Sequence, residues 1–162
     1  SIKMNTTSVL IEECSRLMAE KKYTIAFAES ATAGKLSYVF SQTMYSGDIL
    51  KGGLVCYDAC VKEEILGISK EMIERYTPES AEVTKEMAVQ LKKLMPATIT
   101  VATTGLTTAG GSEEPGKPIG TMFYCILLED KIVERKKIFT GSPVDIIHHT
   151  IEQIAKSLLQ IL

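Results

Sequence analysis

The chain has 162 residues, 45% of them hydrophobic and 23% charged, which fits one globular domain and argues against disorder. Lys plus Arg is 18 against 20 for Asp plus Glu, a net charge of −2, so no broad surface for nucleic acid or anionic membrane is expected. No run reaches the roughly 18–20 apolar residues of a membrane span, and Ser1–Thr7 shows no secretory leader, which together predict a cytoplasmic protein.

Ser8–Glu20 carries Val9, Leu10, Ile11, Leu17 and Met18 at helical spacing, and Lys21-Lys22 suits the end of that helix. Tyr23–Ala28 is short and apolar and reads as a buried strand. Glu29–Gly34 follows as a tight turn of small residues into a helix through Lys35, Leu36, Val39 and Phe40. Gly47 breaks the chain before a second strand, Leu50–Tyr57. Cys60–Leu66 reads as a short helix ended by Gly67, and Ser69 begins another. Pro78–Leu94 is a long amphipathic helix with Val83, Met87 and Leu91 on one face. Strands at Ala97–Thr103, Ile119–Leu128 and Ile132–Phe139 follow, the last two a hairpin about Glu129-Asp130. A helix over Val144–Leu162 closes the chain. Its Leu158–Leu162 end suits either a subunit interface or the chain's own core.

Helices alternating with the first three strands predict a three-layer α/β/α sandwich, in one domain over residues 1–162, with a mostly parallel, mixed five-stranded sheet. Ligands of such sheets bind at the carboxyl ends of the strands. The loops leaving those ends are Glu29–Gly34, Tyr57–Lys62 and Thr103–Gly120. Cys14, Cys56, Cys60 and Cys125 lack the paired spacing of a zinc site, and buried free thiols are expected.

Ser30 sits at a strand-to-helix junction, where serine most often serves as a cap or turn residue. As a nucleophile it needs a base. His148 and His149 lie within the final helix, remote in sequence from all three loops, so a Ser–His–Asp triad has poor support. Lys62 is the other available base, since a desolvated lysine titrates closer to neutrality, and Tyr57 offers a relay. Each of the two also suits a plain surface role. Gly105, Gly110, Gly111, Gly116 and Gly120 fall in one stretch with Lys117. Its amides suit an anion, although it matches neither the P-loop nor the dinucleotide fingerprint. The bland reading is a long surface loop rich in turn residues; loops of this length in compact domains are usually functional or disordered, and function is the preferred reading.

Ala28–Leu36, Lys51–Tyr57, Lys62 with Leu66-Gly67, Thr104-Gly105 through Lys117–Thr121, and Phe139–Gly141 together resemble the CinA C-terminal domain family over nearly the whole chain. The resemblance implies hydrolysis of nicotinamide mononucleotide to nicotinate mononucleotide and ammonia. It implies Ser30 as nucleophile and Tyr57 and Lys62 as its activating partners. It points to Glu29, Thr32, Gly34, Thr104, Gly105, Gly110, Gly111 and Lys117 as substrate contacts. Neither metal nor cofactor is implied, and a homo-oligomer is. Ala31, Ala33, Thr108 and His148 depart from the family's usual residues. A degenerate nucleotide-binding or interaction domain of the same fold, and an α/β domain whose glycines only make turns, stand as the other readings.

Overall fold

The computed structural model describes residues 5–162, so the leader expectation drawn from Ser1–Thr7 falls partly outside the described residues. The chain runs α1 (Thr6–Lys21), β1 (Ile25–Glu29), α2 (Lys35–Ser41), α3 (Ser46–Ile49), β2 (Leu50–Val55), α4 (Ala59–Glu64) and α5 (Lys70–Tyr76), then α6 (Ala81–Leu94), β3 (Ile99–Gly105), β4 (Thr121–Leu128), β5 (Lys131–Ile138) and α7 (Pro143–Ile161). The five strands form one mixed sheet in the order β2-β1-β3-β4-β5. β1 pairs in parallel with both β2 and β3, while β4 and β5 add antiparallel strands beyond β3.

Alternation along the strands sends side chains to two cores. Ile25 and Phe27 of β1, Val101 of β3 and Ile126 of β4 meet α1, α2 and α7 on one face. Ala26, Ala28 and Ala102 face α6, α5 and α4 on the other. The small residues on that second face let α6 approach closely. Thr100 Oγ1 there donates to the Ala88 carbonyl at 3.0 Å, and Thr84 and Thr104 share a hydroxyl bond at 2.8 Å. The C-terminal residues Leu159, Ile161 and Leu162 pack on the first core, so this apolar end completes the chain's own interior.

The elements follow the sequence pattern with shifted bounds: β2 ends at Val55 and not Tyr57, and β4 starts at Thr121 and not Ile119. Gly47 lies within the one-turn helix α3 instead of breaking the chain. α6 starts at Ala81 and not at Pro78, because Ser80 caps it by accepting from the Val83 amide. β1 includes Glu29, and β3 runs on to Gly105 opposite Met122. Gly105 is required there, since a Cβ would lie 2.1 Å from Met122 Sδ and 2.7 Å from the Thr121 carbonyl. The chain steps from β1 to β2 on one side and to β3 on the other. Such a reversal opens a crevice at the carboxyl end of β1.

Candidate active site

Ser30 is the first residue past β1 and is held from both neighbouring strands. Its amide donates to the Thr103 carbonyl at 3.1 Å, and the Cys56 amide donates to the Glu29 carbonyl at 2.9 Å. The Ala33 amide donates to the Ser30 carbonyl at 3.0 Å and closes the turn. α2 starts only after Gly34, so Ser30 is not its cap. Glu29 does the capping instead. Its carboxylate, fully buried, accepts from Thr32 Oγ1 at 2.7 Å, the Leu36 amide at 2.7 Å, and the Ser37 amide and hydroxyl at 2.9 and 2.8 Å. Helix amides that would otherwise lack partners are satisfied by an anion at the helix's positive end. Thr32 Oγ1 also bonds Thr103 Oγ1 at 2.9 Å, fixing the turn to β3. β2 packs against this clamp through Gly53, where a Cβ would lie 2.3 Å from Ser37 Oγ.

Lys62 lies on α4 with only 1% of its surface exposed, so it is no solvated lysine. Its Nζ donates to Ser30 Oγ at 3.0 Å and to the Cys56 and Tyr57 carbonyls at 2.9 and 3.3 Å. Burial pushes the Lys62 ammonium below the ordinary lysine range, and Cys56, Glu79 and Asp58 oppose that push. The neighbouring Cys56 is no rival nucleophile, because burial raises its thiol to about 11. The Tyr57 carbonyl therefore steadies Lys62, while its side chain is 60% exposed at the pocket wall.

A pocket of about 190 Å³ opens over Ser30, lined by Ala31, Tyr57, Glu79 and the loop Gly105–Gly111. Glu29, Thr32, Gly34, Thr104 and Lys117 do not line it. Thr104 points into the α6 face, and Gly34 begins α2 with a left-handed φ of 95°. Lys117 is buried with 4% exposure and donates to Thr77 Oγ1 at 2.7 Å and the Glu79 carbonyl at 2.9 Å. It ties the glycine loop to the α5–α6 connection. The amides of Gly110 and Gly111 donate to Glu113 at 3.1 and 2.7 Å, so the chain's own carboxylate occupies them. Those hydrogen bonds hold the Glu113 carboxyl below its usual range.

Sequence reasoning missed Glu79, which lines the pocket and accepts from Ser112 Oγ at 2.5 Å. The sequence pattern puts it in the first turn of a helix starting at Pro78. Only the Ser80 cap places it in the preceding connection, where Thr77 Oγ1 donates to the Glu79 carbonyl at 3.1 Å. The histidines belong to the other layer: His148 contacts Thr7 and His149 stacks on Phe139. A larger groove of about 600 Å³ between α1, α2 and α7 contains His148 but neither Ser30 nor Lys62. Among the described residues no His, Cys, Asp or Glu group of three or more is arranged to hold a metal ion, and no helix is long and apolar enough to cross a membrane.

The family model described as the CinA C-terminal domain matches residues 7–162. A CinA-like protein of Petrotoga mobilis is 39% identical over 126 residues, covering 77% of this chain and 30% of that protein. A CinA-like protein of Flavobacterium psychrophilum is 32% identical over 151 residues, covering 90% and 35%. The chain thus spans about a third of the length of these curated relatives. Among solved structures, a competence-damaged protein superfamily member from Escherichia coli superposes with a TM-score of 0.90 at 24% identity, covering 99% of this chain and 95% of that one. A competence/damage inducible protein from Agrobacterium tumefaciens gives 0.91 at 19% identity, covering 99% and 98%.

Proposed function

On the premise that the chain belongs to the CinA C-terminal domain family, we propose that it is a serine amidohydrolase converting nicotinamide mononucleotide to nicotinate mononucleotide and ammonia. The observation that carries the reading is the buried Lys62 Nζ 3.0 Å from Ser30 Oγ, at the mouth of the β1 crevice. Burial lowers Lys62 below the ordinary lysine range and no carboxylate lies in its hydrogen-bond set, which supports its acting as the base.

Neutral Lys62 takes the Ser30 hydroxyl proton directly as Oγ bonds to the carboxamide carbon. The carbonyl oxygen becomes an oxyanion. We assign its stabilisation to the Ala31 amide, which follows the nucleophile, lines the pocket and has no protein acceptor among the described residues. One such donor is typically worth about 3–4 kcal/mol. Protonated Lys62 returns its proton to the amide nitrogen, the C–N bond breaks and ammonia leaves. Water then loses a proton to Lys62 and adds to the acyl carbon; the C–Oγ bond breaks, Ser30 Oγ takes that proton back from Lys62, and the acid leaves. No cofactor or metal enters.

The pocket of about 190 Å³ is below the ~300 Å³ of a site for a drug-sized ligand. It suits the pyridine carboxamide, with Tyr57 against the ring and Gly105, Gly110 and Gly111 at its rim, while the ribose phosphate extends outside. The same reading takes residues 1–162 to form one domain and the protein to be a cytoplasmic homo-oligomer. The test is ammonia release from nicotinamide mononucleotide by the purified protein and by Ser30→Ala. Loss of release in the variant is expected. Equal release from both proteins removes Ser30 from the mechanism. Thermal stabilisation by the nucleotide without turnover in the parent replaces hydrolysis with binding alone.

A further inference from the structure

We propose that Glu79 is a specificity-determining residue that selects carboxamides whose ring bears a positive charge, an N-alkylpyridinium, over neutral aromatic amides of the same shape. This rests on the pocket over Ser30 being the carboxamide site proposed above.

Glu79 lines the same pocket as Ser30 and Tyr57. Among the described residues, none of the ion pairs involves it. Its Oε2 accepts from the neutral Ser112 hydroxyl at 2.5 Å, which orients the carboxylate without neutralising it. Lys117 reaches the Glu79 backbone carbonyl and Thr77, not the carboxylate, and Lys62 is close enough to feel the Glu79 charge. A carboxylate fixed at the wall of a small pocket favours a cation inside it.

The rest of the pocket agrees in sign. The Gly110 and Gly111 amides, whose dipoles would oppose a cation, are already covered by the Glu113 carboxylate. The exposed Tyr57 ring at the wall supplies a π-face for a cationic ring. Lys62, hydrogen-bonded to Ser30 at the pocket, opposes binding while charged; burial pushes it toward the neutral form, and Glu79 partly offsets that push. A bound pyridinium strengthens the push, so the charge that Glu79 attracts also favours the base form that attacks. A neutral amide does neither.

The probes are 1-methylnicotinamide, a cation, and 3-methylbenzamide, its neutral isostere with the ring nitrogen replaced by carbon. Binding is measured by titration calorimetry on the Ser30→Ala protein and on Ser30→Ala with Glu79→Gln. The parent is expected to bind the cation roughly tenfold more tightly than the isostere, and Glu79→Gln to erase most of that ratio. Glu79→Asp keeps the charge and is expected to retain part of it. Gln still accepts from Ser112, and a far-ultraviolet spectrum and melting curve check that each variant is folded. Equal affinities in the parent, a ratio that survives Glu79→Gln, or no saturable binding of the cation overturns the proposal. These arms do not require turnover. A protein that releases no ammonia from nicotinamide mononucleotide but shows the charge preference loses the hydrolase reading and keeps this one.

Discussion

Two buried lysines hold the surroundings of the pocket, one through Ser30 and one through the Thr77–Glu79 connection, and do different work. Lys62 and Lys117 are 1% and 4% exposed, and each is held by a hydroxyl and by carbonyl oxygen. The hydroxyl on Lys62 belongs to Ser30, at the pocket, while that on Lys117 belongs to Thr77, outside it. Around Lys62 the turn after β1 is tied to both neighbouring strands and clamped by Glu29. Around Lys117 a long glycine-rich loop is pinned to the α5–α6 connection at a few points. Burial of a lysine therefore says nothing of its role until the direction of its ammonium is known. On the proposed mechanism the chemistry sits on the densely tied, rigid side, and the loop tied at fewer points forms the wall.

The sharpest way to break this contrast is to remove each ammonium. Lys62→Met is expected to lower kcat at least about 10³-fold in ammonia release, as loss of a paired nucleophile or base does. Combining it with Ser30→Ala should cost little more, because the two act as one unit. The parent should show kcat/KM rising with pH through an apparent pKa below the ordinary lysine value, since the neutral amine is the active form and burial lowers Lys62. The stability sign follows from the same shift. Between the lowered folded value and the ordinary one, the unfolded chain binds more protons, so stability rises with pH across that window. Below it the full cost of burying the charge remains. Denaturation across alkaline pH should show that slope in the parent and lose it in Lys62→Met.

Glu29→Gln tests whether the rigid side owes its order to the clamp. A Gln amide presents an NH₂ group to donors that now bond Oε1 or Oε2, so at least one buried donor loses its acceptor. The expected cost is about 2–4 kcal/mol in chemical denaturation, with kcat reduced as the Ser30 turn shifts. Unchanged stability would move the origin of that order from Glu29 to the strand contacts. Lys117→Met asks the converse of the loop. Loss of its two buried hydrogen bonds is expected to cost about 1.5–3 kcal/mol while turnover falls less than in Lys62→Met. A folded Lys117→Met protein without turnover would place Lys117 in the site and end the contrast.

The layers and the three loops at the strand ends are legible from the chain because each rests on local pattern, whereas the pairing of Ser30 with Lys62, 32 residues apart, is implied by the family resemblance alone. Apolar periodicity marks the helices, and the sheet's crossover brings Glu29–Gly34 and Tyr57–Lys62 to one end. Direction was not legible. Glu29 lies beside Ser30 in sequence, yet its carboxylate turns back to α2. Glu79 and Ser112 meet across 33 residues, a contact set by how the glycine loop folds onto the α5–α6 connection. Tyr57 and Lys62 are both near the nucleophile, but only atomic positions show that the lysine reaches Ser30 directly.

The smallest expected effect sharpens the contrast from within the rigid side. Ala33 adopts a left-handed φ of 50° immediately before Gly34 at 95°, so two successive residues turn the chain into α2 in a region that favours glycine. Ala33 is exposed, and its methyl has little packing to lose. Left-handed backbone costs an L-residue roughly 1–2 kcal/mol, and a glycine's greater unfolded-state freedom returns about 0.5–1 kcal/mol of that against folding. Ala33→Gly should therefore gain about 0.5–1 kcal/mol, read as a rise of roughly 1–4 °C in melting temperature. Turnover should stay within twofold, since Glu29 and Thr103 hold the turn independently of residue 33. A lower melting temperature would mean that the alanine's restriction of the unfolded chain outweighs its strain in the fold. A loss of turnover at raised stability would mean that Ser30 depends on the strain itself, and the side of the pocket that appears rigid would then be the one held under tension.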